Sequence, residues 1–242
     1  MNRLIVLDID FISGNGNNSF VHPVILQGDK ENILIDCGTS GSLPLLEKEA
    51  QKNNFELSKL TKIIITHHDH DHMGTLYEIK EKYPHIQIVS SLLEKAYIEG
   101  VKKSLRLEQA EKIYPTLSDD EKLNAEYFHN MLKSIRHVPI DITIDGDHEL
   151  DWCGGTKIIS TPGHMPGHIS IYSKKFKTLI TGDAMVAENE NLFLANPQYT
   201  LDMKEAIKSI RKFLEYDVQQ IICYHGGIIT GDIISILKNL LK

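Results

Sequence analysis

Residues 67–72 read His-His-Asp-His-Asp-His, four imidazoles and two carboxylates in six consecutive positions, directly after the run Ile63, Ile64, Ile65. Groups crowded in this way repel one another or shift their protonation unless something compensates. Divalent metal ions do so, because they demand deprotonated ligands and repay the clustering. Two alternating registers are open within the stretch: His68, His70 and His72, or His67, Asp69 and Asp71. Alternation alone does not choose between them.

The segment THHDHDHMG, residues 66–74, resembles the metallo-β-lactamase-fold signature T-H-x-H-x-D-H-x-G. Anchoring on Asp71, His72 and Gly74 puts His67 at the first ligand position and Asp69 where that family usually has its second His. A start at His68 would require Asp at 72 and His at 73, where this chain has His72 and Met73. Three further segments follow in the family's order: TPGHMPGH with His164, ITGDAM with Asp183 and CYHGG with His225. The N-terminal NSFVHPVILQGDKENILIDCG resembles the family's opening two-strand unit and its D-x-G turn. The likeness covers nearly the whole chain except residues 92–136.

That resemblance implies an α/β fold, a four-layer αββα sandwich in which residues 1–242 form one domain with a helical insertion at about 92–136. It also implies two divalent ions. His67, Asp69 and His164 would hold one and Asp71, His72 and His225 the other, with Asp183 bridging, so that each ion keeps a position for water. Asp71 would in addition act catalytically, orienting the attacking water and carrying its proton. His68, His70 and His168 are expected around the ligands rather than on a metal, because ligating imidazoles need orienting partners. Asp36 is a candidate supporting carboxylate, Asp8, Asp10 and Asp147 are turn or support residues, and His22, His85, His129, His137 and His148 lie outside the pattern.

Zinc is the first expectation for the metal. Asp69 in place of an imidazole makes its position harder and more negative, which brings in manganese and iron. The implied chemistry is metal-assisted hydrolysis of a small ester, thioester or lactone. The chain resembles a less characterised H-x-D-x-D-H group with glyoxalase II-like and lactonase-like features, and it departs from the better-known branches at single residues. The commonest broad-spectrum β-lactamases have Cys where Asp183 stands, acyl-homoserine-lactone lactonases have Tyr where Val186 stands, and glyoxalase II has His where Asp69 stands. A di-iron redox protein and a non-catalytic metal-binding or sensory protein are the competing classes.

The elements that must position these residues are legible as β-branched runs alternating with helical periodicity. Strands are expected at 3–9, 20–27, 32–36, 62–66 and 86–90, and again near 138–144, 147–152, 156–160, 168–173 and 177–181, with a further buried strand in VQQIICY. Helices are expected over PLLEKEAQKN, from about 73 to 83, within 92–136, over DMKEAIKSIRKFLEY and from about 231. Met203, Ala206, Ile207, Ile210, Phe213 and Leu214 share one helical face. In 92–136, Ser118 and Glu121 have the spacing of a capping box. Tyr97, Tyr114, Tyr127, Phe128 and Met131 would either cover the site as a lid or, on balance, pack in a core or an oligomer contact. The stretch AMVAENENLFLANPQY after Asp183 is expected to be a loop forming a second substrate wall.

Composition narrows the partners. The chain has 242 residues, 41% hydrophobic content and a formal net charge of −7. Its Lys and Arg are interspersed with acids, so no basic stripe for nucleic acid is present and a small-molecule substrate is expected. The opening MNRLIVLDIDF suits a first strand rather than a signal peptide, and no apolar stretch approaches the roughly 18 residues of a membrane span. Cys37, Cys153 and Cys223 are odd in number and widely spaced, which suits a reducing cytoplasm and small buried side chains. A homodimer through the 92–136 helices is a further expectation.

Overall fold

The computed structural model describes residues 2–12 and 18–242. In the first half, β1 (Arg3–Val6) leads into the hairpin β2 (Ile9–Ile12) and β3 (Asn18–Val21), then β4 (Val24–Gln27) and β5 (Asn32–Ile35). Helix α1 (Leu43–Lys52), β6 (Lys62–Ile64), α2 (His70–Met73), α3 (Leu76–Lys82) and β7 (Gln87–Ser91) follow. Three helices come next, α4 (Leu92–Ile98), α5 (Leu105–Ile113) and α6 (Asp119–Lys133), before β8 (Ile142–Ile144). The second half runs β9 (His148–Leu150), β10 (Thr156–Ser160), β11 (Ile169–Ser173), β12 (Thr178–Ile180), the hairpin β13 (Met185–Glu188) and β14 (Asn191–Leu194), α7 (Met203–Arg211), β15 (Gln220–Cys223), β16 (Gly227–Thr230) and α8 (Ile233–Leu240).

Two six-stranded sheets result, in the orders β1-β4-β5-β6-β7-β8 and β16-β15-β12-β11-β10-β9. Alternation along the strands makes them into layers, because successive side chains point to opposite faces. Val24, Leu26, Ile33, Ile35 and Ile64 of the first sheet join Ile158, Ile171, Ile180 and Ile222 of the second in one buried cluster between the sheets. Their neighbours Ile25, Leu34 and Ile63 lie instead with Leu46 and Ala50 of α1 and Leu76 and Ile79 of α3. On the far side, Leu179, Ile221 and Cys223 pack with Ile210 and Phe213, and with Ile233 and Leu237 of α8. Helices, sheet, sheet and helices therefore form the four-layer αββα sandwich. Each fully buried Ile or Leu contributes roughly 1.5–3 kcal/mol by leaving water.

Several local expectations are corrected. The 20–27 run is two strands, because His22 and Pro23 interrupt it and Leu7 N–H donates to Pro23 O at 2.9 Å. The helix expected from 73 begins three residues earlier and breaks between Met73 and Leu76. The face expected on one helix loses its end to a 3-10 turn, Lys212–Glu215. The stretch after Asp183 is no loop but the hairpin β13–β14, paired from Met185↔Leu194 to Glu188↔Asn191. Its turn residues Asn189 and Glu190 both have positive φ, 49° and 64°. A turn with both central residues in that region matches the twist of a tight hairpin.

The aromatic residues of α4 to α6 are mostly not core. Tyr127 is 74% exposed, while Tyr97 stacks on His68 with ring centroids 4.4 Å apart and Phe128 meets His70 edge-on at 5.7 Å. Helix α6 is capped by Ser118, whose N–H donates to the Glu121 carboxylate at 2.9 Å. All three cysteines are buried and unpaired. Burial pushes the Cys223 and Cys153 thiols up to about 12, so neither is poised as a nucleophile. Among the described residues, no helix is long and apolar enough to cross a membrane.

Candidate metal centre

The site lies where strand ends of both sheets meet. The pairs β5–β6 and β12–β15 are parallel, so their carboxyl ends leave the sheets side by side, where loops are free to aim side chains at one point. Asp36 follows β5, the His67–His72 loop follows β6, Asp183 follows β12 and His225 follows β15. His164 arrives from the turn between β10 and β11. Residues as far apart in sequence as 67 and 225 are thereby brought together.

Two sets of ligand-type atoms converge. His67, Asp69 and His164 form one cluster and Asp71, His72 and His225 another, each with its donor atoms within 4.8 Å of one another. A third such cluster, His67, His72 and Asp183, joins them. Asp183 lies between the two sets: its carboxylate is 3.2 Å from His72 Nε2, 3.5 Å from His164 Nε2 and 3.5 Å from His225 Nε2. His225 Nε2 is also 3.1 Å from Asp71 Oδ2.

The donor set fits divalent ions. His67 Nε2, His72 Nε2 and Asp183 Oδ1 are buried and, although His72 Nε2 is 3.2 Å from Asp183 Oδ1 and His67 Nε2 3.3 Å from Asp69 Oδ2, none makes a well-directed hydrogen bond, a condition that native interiors rarely tolerate. On the other side of the His72 ring, Nδ1 lies 2.8 Å from Asp36 Oδ2. Thr66 steadies that carboxylate, donating from its N–H at 2.9 Å and from its hydroxyl at 2.8 Å. An imidazole held at one nitrogen by a carboxylate, with the other nitrogen bare, is the arrangement of an oriented metal ligand. Asp36 adopts φ 57° to do this, a left-handed conformation that a non-glycine residue keeps only where its surroundings over-determine it.

Charges in the cluster are strongly coupled. For His72, burial favours the neutral ring, but Asp183, Asp36 and Asp71 outweigh it and hold the pKa well above the ordinary value. At His225, Asp183 and Asp71 likewise overcome burial and leave the pKa at about 10. Asp183 is held well below the carboxylate range, against burial, by His225 and His72. His67 is lowered by burial and by His72.

His168 and His68 turn inward without joining either cluster. His168 Nε2 accepts the Asp183 N–H at 3.0 Å and its Nδ1 meets the Thr161 hydroxyl at 2.8 Å, so the ring sets where Asp183 stands. Burial, then His67 and His164, hold its pKa well below normal, consistent with a neutral ring accepting that bond. His68 is buried, and its Nδ1 pairs with Glu94, a carboxylate of α4 that is fully buried. His70 is partly exposed, with Nδ1 3.6 Å from Asp71. His22 lies at the rim, where Val21 bridges to His225 and Asp8 holds the His22 ring at 3.0 Å.

One residue of the site escapes the sequence reading. Arg106 of α5 is 4% exposed and grips Asp69, with Nε 3.1 Å from Oδ1 and Nη2 2.5 Å from Oδ2. Burial would raise the Asp69 pKa, but Arg106, then His164 and His67, hold it well below the usual range. The only local hint is an Arg between Leu105 and Leu107 in a chain that uses Lys far more often.

The family model of the metallo-beta-lactamase superfamily matches residues 16–225. The chain belongs to that superfamily. Among curated relatives, it is 26% identical over 219 residues to the probable metallo-hydrolase YflN of Bacillus subtilis, covering 82% of this chain and 76% of that one. It is 28% identical over 215 residues to a metallo-beta-lactamase fold-containing protein of Sulfurisphaera tokodaii, covering 87% and 74%. Among solved structures, a metallo-beta-lactamase family protein from Thermus thermophilus superposes with a TM-score of 0.69 at 20% identity over 98% of this chain and 78% of that one. The shared fold therefore persists where little sequence identity remains.

Proposed function

We propose that this chain is a metal-dependent hydrolase with two divalent ions, cleaving a small ester, thioester or lactone. The observation that carries this reading is the convergence of His67 Nε2, His72 Nε2 and Asp183 Oδ1, buried and without a well-directed hydrogen bond. His67, Asp69 and His164 would hold one ion, Asp71, His72 and His225 the other, with Asp183 shared. Such ions supply Lewis acidity toward a substrate carbonyl and toward water. The protein residues do the rest. Asp36 fixes the His72 ring and His168 fixes Asp183. Asp71, at the edge of the cluster between His70 and His225, is the group that takes the proton from attacking water. Tyr224 donates its hydroxyl to Asp71 O at 2.5 Å and accepts from Gly38 N–H at 3.1 Å, which ties the His225 and His67–His72 loops to each other. Zinc is the first choice of metal, and the Asp69 carboxylate makes manganese and iron the alternatives.

Elemental analysis of the purified protein, alongside hydrolysis of a chromogenic ester and thioester panel, tests the reading. Asp71→Ala and His67→Ala should each lose at least one ion and most turnover. A variant that keeps both its full metal content and its rate overturns the assignment. Two bound irons with redox activity and no hydrolysis would replace it with the di-iron class.

Metal uptake should also release protons. The His225 pKa is raised to about 10 and that of His72 is raised in the same direction by its carboxylate neighbours, so metal binding at these rings must displace protons. Apparent zinc affinity should therefore rise as pH is raised from about 6 to about 8. Calorimetry in buffers of different ionisation enthalpy should show a heat that tracks the buffer. A heat independent of buffer would contradict the protonation pattern.

A further inference from the structure

The two clusters are not equivalent, and Arg106 makes the difference. Its guanidinium donates to both oxygens of Asp69, Nε at 3.1 and 3.2 Å and Nη2 at 2.5 Å. Nη2 is also 3.3 Å from His164 Nε2, and it donates to Tyr199 O at 2.8 Å. Two of the three donors in the His67–Asp69–His164 set are thus already engaged by a fixed positive charge. An ion bound there needs the same carboxylate and the same nitrogen, and would stand within a few ångströms of a guanidinium that cannot lose its proton. Among the described residues, no Lys or Arg makes an ion pair with Asp71 or Asp183.

The arginine is held in place by the helices between β7 and β8. Leu105 N–H, one residue before it, donates to His68 Nε2 at 3.2 Å. The opposite nitrogen of His68 pairs with Glu94, which also accepts from His68 N–H at 2.9 Å and from Gly167 N–H at 3.0 Å. Arg106 Nη1 donates to Gln109 at 2.5 Å, and Gln109 reaches Gln198 O at 2.9 Å. The start of α5 is therefore pinned to the loop that carries Asp69.

Resting on the two-ion reading above, the geometry points to Arg106 as a built-in competitor for the His67–Asp69–His164 position. The Asp71–His72–His225 position, with Asp183, fills first. The other position fills only when Arg106 gives up Asp69, so the seating of α5 governs the second ion.

Equilibrium dialysis of the metal-stripped full chain against zinc alone tests this. The wild type should bind one zinc tightly and a second at least about tenfold more weakly, the scale set by breaking one buried charge pair. Arg106→Gln should strengthen the second event and narrow that gap, and Arg106→Lys, which keeps the charge but not the two-pronged grip, should narrow it less. Two equally tight ions in the wild type overturn the proposal by themselves, even if Arg106→Gln does not fold. A gap left unchanged in a folded Arg106→Gln also overturns it. No zinc bound at either position removes the two-ion reading as well, so the two failures are distinguishable.

Discussion

On the two-ion proposal, Asp183→Asn is expected to cut hydrolysis of the ester and thioester panel by roughly a hundredfold to a thousandfold, because a carboxylate shared by two ions would govern several kcal/mol of transition-state stabilisation. The substitution keeps the shape of the side chain and removes its charge. The Asp183 N–H still donates to His168 Nε2, so the segment after β12 keeps its anchor and the fold should survive. What changes is the cluster: His72 and His225 lose the carboxylate that contributes most to raising their pKa values, and both should titrate nearer the ordinary imidazole range. The metal content should fall together with kcat/KM, and NMR of the metal-free imidazoles should show the pKa drop. Unchanged turnover at full metal content would mean that Asp183 is not shared between the ions.

The second large effect is structural. Gly226→Ala would put a Cβ 1.7 Å from Ala187 O and 2.5 Å from its carbonyl carbon, at a backbone φ of +94°. Ala187 N–H already donates to His225 O at 3.0 Å, so β13 and the His225 segment cannot separate without breaking that bond. The expected cost is about 2–4 kcal/mol, from overpacking and from a left-handed conformation unsuited to alanine. That corresponds to a fall in Tm of roughly 5–15 °C for a chain of this size. Gly231→Ala is the control, since its φ is +111° but a Cβ there meets nothing within 4 Å. It should cost only about 1 kcal/mol. Equal effects at the two positions would show that the clash with Ala187 is relieved without cost.

Much of this protein is written locally. The central strands are short continuous apolar runs, as in Ile33, Leu34 and Ile35 or Ile221, Ile222 and Cys223, and the strand pleat sends their successive side chains to opposite layers. The six-residue His/Asp run and the order of His164, Asp183 and His225 are equally visible, because these residue types stand out in short segments that follow apolar strands. The hairpin β13–β14 is less legible. Its turn uses Asn189 and Glu190 rather than an Asn-Gly pair, and the polar run 188–191 joining two four-residue strands resembles a loop. The strand β16 is hidden for a related reason, since Gly226 and Gly227 signal a turn although Gly227 already opens a paired four-residue strand.

The amino-acid sequence by itself determined the succession of strands and helices and the residue types of the His/Asp run, since both depend on patterns a few residues long, whereas the register with His67 and Asp69 rested on the family resemblance. Asp36 and His168 are anticipated as supporting residues, but only the tertiary structure decided which atoms they hold and that Arg106 joins them. Asp36 reaches His72 across two parallel strands, His168 reaches the Asp183 backbone from a neighbouring strand, and Arg106 comes from a helix 37 positions beyond its carboxylate partner. None of these contacts has a period or a spacing, because each arises where separate elements pack, and a buried charge finds its partner by proximity in space rather than along the chain.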